Sequence, residues 1–242
     1  MKEEKWYTGE FIKIVDETPC VKRFWVRLRD IERFDFKAGQ FVQIELPIHE
    51  KKSLRMRSYS ISSPPDGTNV IELPIMLVTD GLATPYLFNK VRAGDTVPVR
   101  GPLGKFILPD PIEDDICFIC TGTGIAPFRS MLLDIYNKKI PYKNLFLIFG
   151  CRLTGDILYY REMQELVQKL PGFQYTITLS RETNPAWNGR RGYVHGVYEE
   201  IFSDHHPAHF YLCGWKNMVD EARKRLQGMG YGKEQIHVEI YG

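Results

Sequence analysis

Arg57-Ser58-Tyr59-Ser60 sets a cation, an aromatic ring and two hydroxyls on consecutive residues. A guanidinium suits a pyrophosphate, a phenol ring suits the face of an isoalloxazine, and a hydroxyl suits one of its ring nitrogens. Downstream, Thr121-Gly122-Thr123-Gly124-Ile125-Ala126-Pro127 offers a glycine turn through which backbone amides approach a second diphosphate. Near the C-terminus, His237-Val238-Glu239-Ile240-Tyr241 supplies a carboxylate and another aromatic. Two diphosphate sites and a late aromatic point to two stacked redox rings, which is the arrangement hydride transfer needs.

These residues must be held by suitable elements. The Arg57 segment reads as extended, so Arg57 and Tyr59 share one face while Ser58 and Ser60 share the other. The same pattern also suits an ordinary surface arginine beside a core tyrosine. Asp80-Gly81-Leu82-Ala83-Thr84-Pro85 is a glycine turn with a threonine opening a helix, a pattern that serves a phosphate or simply caps the helix. In the 121–127 loop, Pro127 stands where the dinucleotide fingerprint has its third glycine. Proline suits a first helical turn, so the loop keeps the properties of an anion site while departing from the plain Rossmann pattern.

Up to about Leu108 the chain carries short β-branched and aromatic runs at 11–15, 23–28, 40–46, 70–78 and 96–100, separated by turn signals. Such spacing predicts an antiparallel barrel or sandwich, with one short helix at 85–90. Past Pro109-Asp110-Pro111 strands and helices alternate, with strands at 116–120, 145–149, 175–179, 210–213 and 236–241 and helices at 127–138, 159–169, 197–202 and 216–229. That order predicts a doubly wound parallel α/β domain, so the chain divides into domains 1–110 and 111–242.

Composition narrows the classes. With 242 residues, 43% hydrophobic and 26% charged, the chain has the make-up of a globular protein. A net charge of +2 without a basic run gives no case for nucleic acid, and no apolar stretch approaches the ~20 residues that span a bilayer. Five scattered cysteines suit free thiols, and the N-terminus lacks a secretory pattern, so the expected location is cytoplasmic. Cys117 and Cys120 form a CxxC inside an apolar strand, where residues three apart face opposite ways, so a redox pair is not expected. His205, His206 and His209 read as surface histidines, and no metal site is expected.

The order RxYS, GxxT before a short helix, GPxGKF, TGTGIAPFRS, a Cys-Gly pair and HVExY resembles the ferredoxin-NADP reductase family, above all its plant-type branch, from about Phe36 onward. The resemblance implies an N-terminal antiparallel Greek-key β-barrel that binds FAD, followed by the α/β domain binding NADP. It implies that Arg57 holds the FAD pyrophosphate with Ser58 in the same run, that Tyr59 stacks on the flavin, and that Ser60 lies near flavin N5. Gly81, Leu82, Ala83 and Thr84 would contact FAD phosphate, with Met76, Leu77 and Val78 near the cofactor. Thr123 would meet the NADP diphosphate. Cys213 would lie beside the nicotinamide, Glu239 near Ser60, and Tyr241 over the other flavin face. Here Gly242 follows that tyrosine, whereas the plant-type pattern ends on it.

The second nucleotide turns on its 2'-phosphate, which wants arginine forks, whereas a free ribose hydroxyl is commonly held by an acid. Ser180-Arg181-Glu182 and Gly189-Arg190-Arg191-Gly192-Tyr193 resemble the plant-type NADP pattern, with Ser180, Arg181 and Arg191 at the phosphate and Tyr193 on the adenine. NADP is therefore expected, with Glu182 as the opposing signal. The implied activity is electron transfer between NADP(H) and ferredoxin or flavodoxin, by a monomer. Two other readings are the NAD(P)H-dependent reductase component of an oxygenase, and a nucleotide-binding electron-transfer or regulatory subunit with little turnover. Lys51, Lys52, Arg55 and Lys105 either face an acidic carrier or form a solvated basic rim.

Overall fold

The computed structural model describes residues 5–241, with Tyr241 described in its backbone alone. The chain forms two compact units, one comprising the residues through Ile107 with Ala126–Asp134, the other Leu108–Ile125 with the residues from Ile135 onward.

The first unit is built on a six-stranded antiparallel sheet. Its strands are β1 (Trp6–Thr18), β2 (Val21–Leu28), β3 (Phe41–Glu45), β4 (Met56–Ser60), β5 (Val70–Met76) and β6 (Thr96–Leu103), in the order β4-β3-β6-β1-β2-β5. β1 is longer than the 11–15 run because it has two partners: its first five residues pair with β6, and Gly9 onward pairs with β2. Bulges at Phe11/Lys13 and Asp16/Thr18 let one strand serve both. Phe24, Val26 and Leu28 alternate into the core with Phe11, Val42 and Ile44. Helix α1 (Ala83–Asn89) starts two residues before the expected 85–90 segment.

Beyond β4 the chain closes onto β5. Ser62 donates its N–H and Oγ–H to the Glu72 carbonyl at 2.9 and 3.1 Å, and the Glu72 N–H donates to Ser63 Oγ at 3.1 Å. The two edge strands are thereby joined, and β6 returns beside β3, which is the Greek-key path. The Glu72 side chain is buried and receives Arg23 through two bonds of 2.7 and 3.0 Å. Arg129 reaches the same carboxylate at 3.3 Å and donates to the Ser62 carbonyl at 2.8 Å, while Ser130 Oγ donates to the Ser63 carbonyl.

The second unit holds a parallel sheet of β7 (Asp115–Thr121), β8 (Leu145–Cys151), β9 (Phe173–Leu179), β10 (Arg190–Arg191), β11 (Ala208–Trp215) and β12 (Ile236–Tyr241). Helices α2 (Ala126–Lys138), α3 (Tyr160–Lys169), α4 (His195–Ile201) and α5 (Lys216–Gly228) alternate with the strands in the chain. The order β10-β9-β8-β7-β11-β12 reverses direction at β7, so the ends of β7 and β11 form a topological switch point. Residues 116–120 of β7 and the whole of β8 are apolar because both sheet faces are covered. Cys117 lies in the cluster of Tyr198, Phe202 and Phe210, while Cys120 falls on the opposite face. Burial pushes both thiols well up, and all five cysteines are free.

The reading of three surface histidines needs correction. His205 is exposed, but His206 and His209 are half-buried. The His206 ring lies tilted against Phe202 and pairs with Asp204 at 2.5 Å and Asp115 at 3.3 Å, and His209 Nδ1 lies 3.1 Å from His237 Nε2. Asp204 and Phe202 are local, whereas Asp115 and His237 come from β7 and β12, which flank β11, so sequence distance concealed those two. Among the described residues no group of three or more His, Cys, Asp or Glu could hold a metal ion, and no helix is long and apolar enough to cross a membrane.

Glu72 generates a stability prediction. Replacing it with alanine takes the shared carboxylate from buried Arg129 and from half-buried Arg23, which keeps Glu17, and is expected to cost about 3 kcal/mol. Urea unfolding measures this, and an unchanged midpoint would remove Glu72 from the frame of the first unit.

Candidate functional site

In the first unit β4 carries the Arg57-Ser58-Tyr59-Ser60 run, in register with Ile44, Gln43, Val42 and Phe41 of β3. Arg57 Nη1 donates to the Leu54 and Met56 carbonyls at 3.0 and 2.8 Å, which anchors its guanidinium beside the turn preceding β4. Ser58 is exposed and its Oγ accepts from Gln43 Nε2, while Ser60 is buried. Tyr59 packs against the core of this unit, and its hydroxyl oxygen is buried with no hydrogen-bond partner. Burial raises the phenol pKa strongly, and Arg57 offsets only part of the rise. A buried, unpartnered hydroxyl costs about 1–3 kcal/mol, so this position is suited to a polar group of a bound molecule.

Met76 ends β5, and the Leu77 N–H donates to the Cys20 carbonyl. Thr84 Oγ1 accepts from the Val78 N–H at 2.8 Å and donates to the Val78 carbonyl at 3.1 Å, and the Gly81 N–H donates to the same carbonyl. The threonine hydroxyl therefore closes the 78–84 loop instead of standing clear at its mouth. Leu82 precedes α1 without a side-chain cap, which leaves the opening amides of Ala83 and Thr84 uncapped by any side chain. Val78 and Leu82 are exposed apolar residues on this loop.

In the second unit, Gly122–Ile125 forms a 3-10 turn that runs into α2, which also begins without a side-chain cap. Thr123 is half-buried on that turn. A Cβ on Gly124 would stand 2.3 Å from the Cys213 carbonyl oxygen and 2.9 Å from the Gly214 nitrogen. Gly214 has φ +141°, and a Cβ there would lie 2.4 Å from Thr121 Oγ1. The ends of β7 and β11 thus pack backbone to backbone. Cys213 is buried at this point, in register with Cys120 on one side and Glu239 on the other, and Trp215 is in register with Tyr241. The structure brings Thr123, Cys213 and Glu239 to one end of this sheet. Ser60 belongs to the other unit, and the Tyr241 side chain and Gly242 lie outside the described residues.

The same sheet end carries the cationic loops. Ser180 Oγ donates to the Cys151 carbonyl at 3.3 Å, and Arg181 is exposed. Arg191 donates to the carbonyls of Glu182 and Asn184 at 3.2 and 2.8 Å, and Tyr193 is 77% exposed, its ring turned outward. Sequence reasoning missed Arg152, an exposed residue directly after β8 whose carbonyl accepts from the Arg181 N–H at 3.0 Å. Its signal was an arginine at the end of the strand beside β9, which only sheet order makes a neighbour of Arg181. Glu182, the opposing signal, has both carboxylate oxygens engaged by Thr154 and Asn184.

Residues 10–107 match the oxidoreductase FAD-binding domain family and residues 118–224 the oxidoreductase NAD-binding domain family. The chain is 34% identical over 242 residues to ferredoxin--NADP reductase B of Sorangium cellulosum (strain So ce56), with 97% of each protein covered. It is 30% identical to the phenol hydroxylase P5 protein of Acinetobacter pittii (strain PHEA-2), where the match spans 97% of this chain and 65% of that protein. Among solved structures, Amycolatopsis cytochrome P450 reductase GcoB aligns with a TM-score of 0.87 at 29% identity, covering 98% of this chain and 69% of that one. A ferredoxin NADP+ reductase from Neisseria gonorrhoeae with bound FAD and NADP aligns with a TM-score of 0.82 at 25% identity, covering 98% and 99%.

The backbone packing at Gly124 is directly testable. Gly124→Ala meets backbone atoms that cannot swing aside, so it is expected to destabilise the protein by about 1–3 kcal/mol and to impair nucleotide binding. Thermal unfolding and nucleotide titration check this, and wild-type behaviour in both would show that the close approach is dispensable.

Proposed function

The chain belongs to the ferredoxin-NADP reductase-like family of FAD/NAD(P)-binding oxidoreductases, and from that premise we propose that it carries electrons between NADP(H) and a one-electron carrier such as ferredoxin or flavodoxin. The observation that carries the choice of NADP is the neighbouring pair Arg152 and Arg181 on adjoining strand ends, with the nearby acid Glu182 already engaged. Guanidinium forks suit a 2'-phosphate dianion, and a carboxylate committed elsewhere is poorly placed to grip a free ribose hydroxyl.

When bound, FAD supplies the conversion between two-electron hydride chemistry and one-electron transfer. Arg57 would hold the pyrophosphate, and the 81–84 turn would hold the phosphate beyond it through the Ala83 and Thr84 amides, which no side chain caps. Tyr59 lies against the ring system, where its buried hydroxyl gains the partner it lacks. Ser60 would donate through Oγ to the flavin, and Glu239 would hold a proton for the reaction. Cys213 would lie beside the nicotinamide, Thr123 would meet the nucleotide diphosphate, and Tyr241 would cover a flavin face, as the family resemblance implies. Tyr193, turned outward, offers its ring to the adenine. The free thiols fit a cytoplasmic setting.

A second reading, with the same chemistry and an oxygenase component as acceptor, is favoured by the 30% identity to the phenol hydroxylase P5 protein and 31% identity to a glycine betaine monooxygenase reductase subunit of Pseudomonas aeruginosa. The chain spans 65–66% of those proteins. Stopped-flow reduction of purified ferredoxin, flavodoxin and oxygenase components over a range of salt concentrations separates the two. The leading reading fails if neither ferredoxin nor flavodoxin is reduced.

Two further outcomes are expected. Arg57→Ala loosens FAD by about tenfold or more without moving the unfolding midpoint of the apoprotein, and wild type holds FAD more tightly than FMN, both read by flavin fluorescence. Equal affinity for FMN and FAD would remove Gly81–Thr84 from the phosphate site. Neutralising Arg181 and Arg191 together lowers kcat/KM for NADPH by about tenfold or more relative to NADH, because a charged hydrogen bond is worth about 1.5–3 kcal/mol. Equal losses for both nucleotides would mean that these arginines do not read the 2'-phosphate.

A further inference from the structure

Glu182 lies three residues beyond β9, near where nucleotide-binding sheets often carry an acid for the free ribose hydroxyl. Its carboxylate is already in use. Oε2 accepts from both the N–H and the Oγ–H of Thr154 at 3.0 Å, and Oε1 accepts from the Asn184 N–H at 2.9 Å. The residue's own carbonyl accepts from Arg191 Nε at 3.2 Å, and the Asn184 carbonyl accepts from Arg191 Nη2 at 2.8 Å. One residue upstream, the Arg181 N–H donates to the Arg152 carbonyl. Glu182 therefore ties the loop after β8, which bears Arg152, to the loop after β9, which bears Arg181, and to β10, which bears Arg191.

We propose that Glu182 is a positioning residue: its carboxylate fixes the loops bearing Arg152 and Arg181 against each other, beside the main-chain carbonyls that hold Arg191, and so sets the preference for a nucleotide with a 2'-phosphate. The proposal rests on the NADP reading above. Backbone N–H groups, Thr154 foremost, hold the carboxyl below the usual carboxylate range, so it remains an acceptor without drawing a guanidinium away from the ligand. Two opposed effects are at stake. A negative charge beside a phosphate repels it, whereas a lost clamp lets the two loops separate and lowers the number of cations that converge on one anion. Because three donors converge on the carboxylate, the clamp is the larger effect.

The test is equilibrium binding to the full-length protein by calorimetry, with adenosine 2',5'-bisphosphate and 5'-AMP as probes. Wild type is expected to prefer the bisphosphate. Glu182→Ala should weaken the bisphosphate by about tenfold and 5'-AMP by less than about twofold, since the lost hydrogen bonds act only through the arginines. Glu182→Gln, which keeps one acceptor oxygen, should recover part of the loss. Thr154→Val, which removes only the Oγ donor, should show a smaller loss of the same kind, and it serves with Glu182→Gln if the alanine protein does not fold. Tighter bisphosphate binding in Glu182→Ala would make the residue a repulsive charge and overturn the proposal. Equal losses on both probes would make it a general support of the fold and overturn it too. Unaltered binding in every variant, with wild type still discriminating, defeats the proposal alone, whereas a wild type that does not discriminate defeats the NADP reading as well.

Discussion

At the C-terminal ends of β7 and β11 the main chain of Thr121–Gly124 lies against the main chain of Cys213–Gly214, closely enough that a single methyl group on either glycine would overlap its neighbour. This constraint organises the second unit's chemistry. Parallel strands leave their last carbonyls and the following helix amides at one edge, and a reversal of strand order opens a crevice there. With a Cβ excluded at Gly124 and at Gly214, the 122–125 turn sits tight against β11, and Cys213 lies beside Glu239 of β12 in register. Thr121 Oγ1 also accepts from the Trp215 N–H at 3.4 Å, tying the two strand ends by a side chain as well.

The first unit solves a different problem. An antiparallel sheet has two edges, and here they are joined by Ser62, Ser63 and Glu72 directly after the run that bears Arg57, Tyr59 and Ser60. The buried acid and its two arginines make that closure depend on charge as well as on β hydrogen bonds. Such a network is strongly destabilised by the loss of one member, since the remaining charges stay buried. β4 is therefore anchored at its downstream end, while the Tyr59 hydroxyl stays buried without a hydrogen-bond partner. Rigidity next to an unsatisfied group is what a site prepared for a cofactor requires.

Charge placement at the sheet end of the second unit follows the same economy. Arg190 is taken by Glu200 in a two-bond pair at 2.6 and 2.8 Å, and Arg191 is bound to backbone carbonyls, so the adjacent arginines have separate duties. Arg152 and Arg181 remain at the surface on neighbouring loops. The acid among them is hydrogen-bonded by Thr154 and Asn184 and does not pair with any of the four arginines in the described contacts.

Local pattern alone determined much of this protein. Alternating β-branched runs, the change of texture after Pro111 and the glycine turns at 81 and 122–124 fixed the element types, because side-chain period and backbone freedom are local properties. The resemblance of the ordered motifs then assigned the flavin and nucleotide residues. Tertiary structure decided whatever depended on which strands become neighbours. Arg152 joins Arg181 only because β8 lies beside β9, and His206 finds Asp115 only because β11 pairs with β7. The engagement of Thr84 by Val78 and of Glu182 by Thr154 is equally invisible in sequence. Hydrogen-bond partners are chosen by distance in space, and residues 28 apart in the chain acquire that distance only when the sheet is assembled.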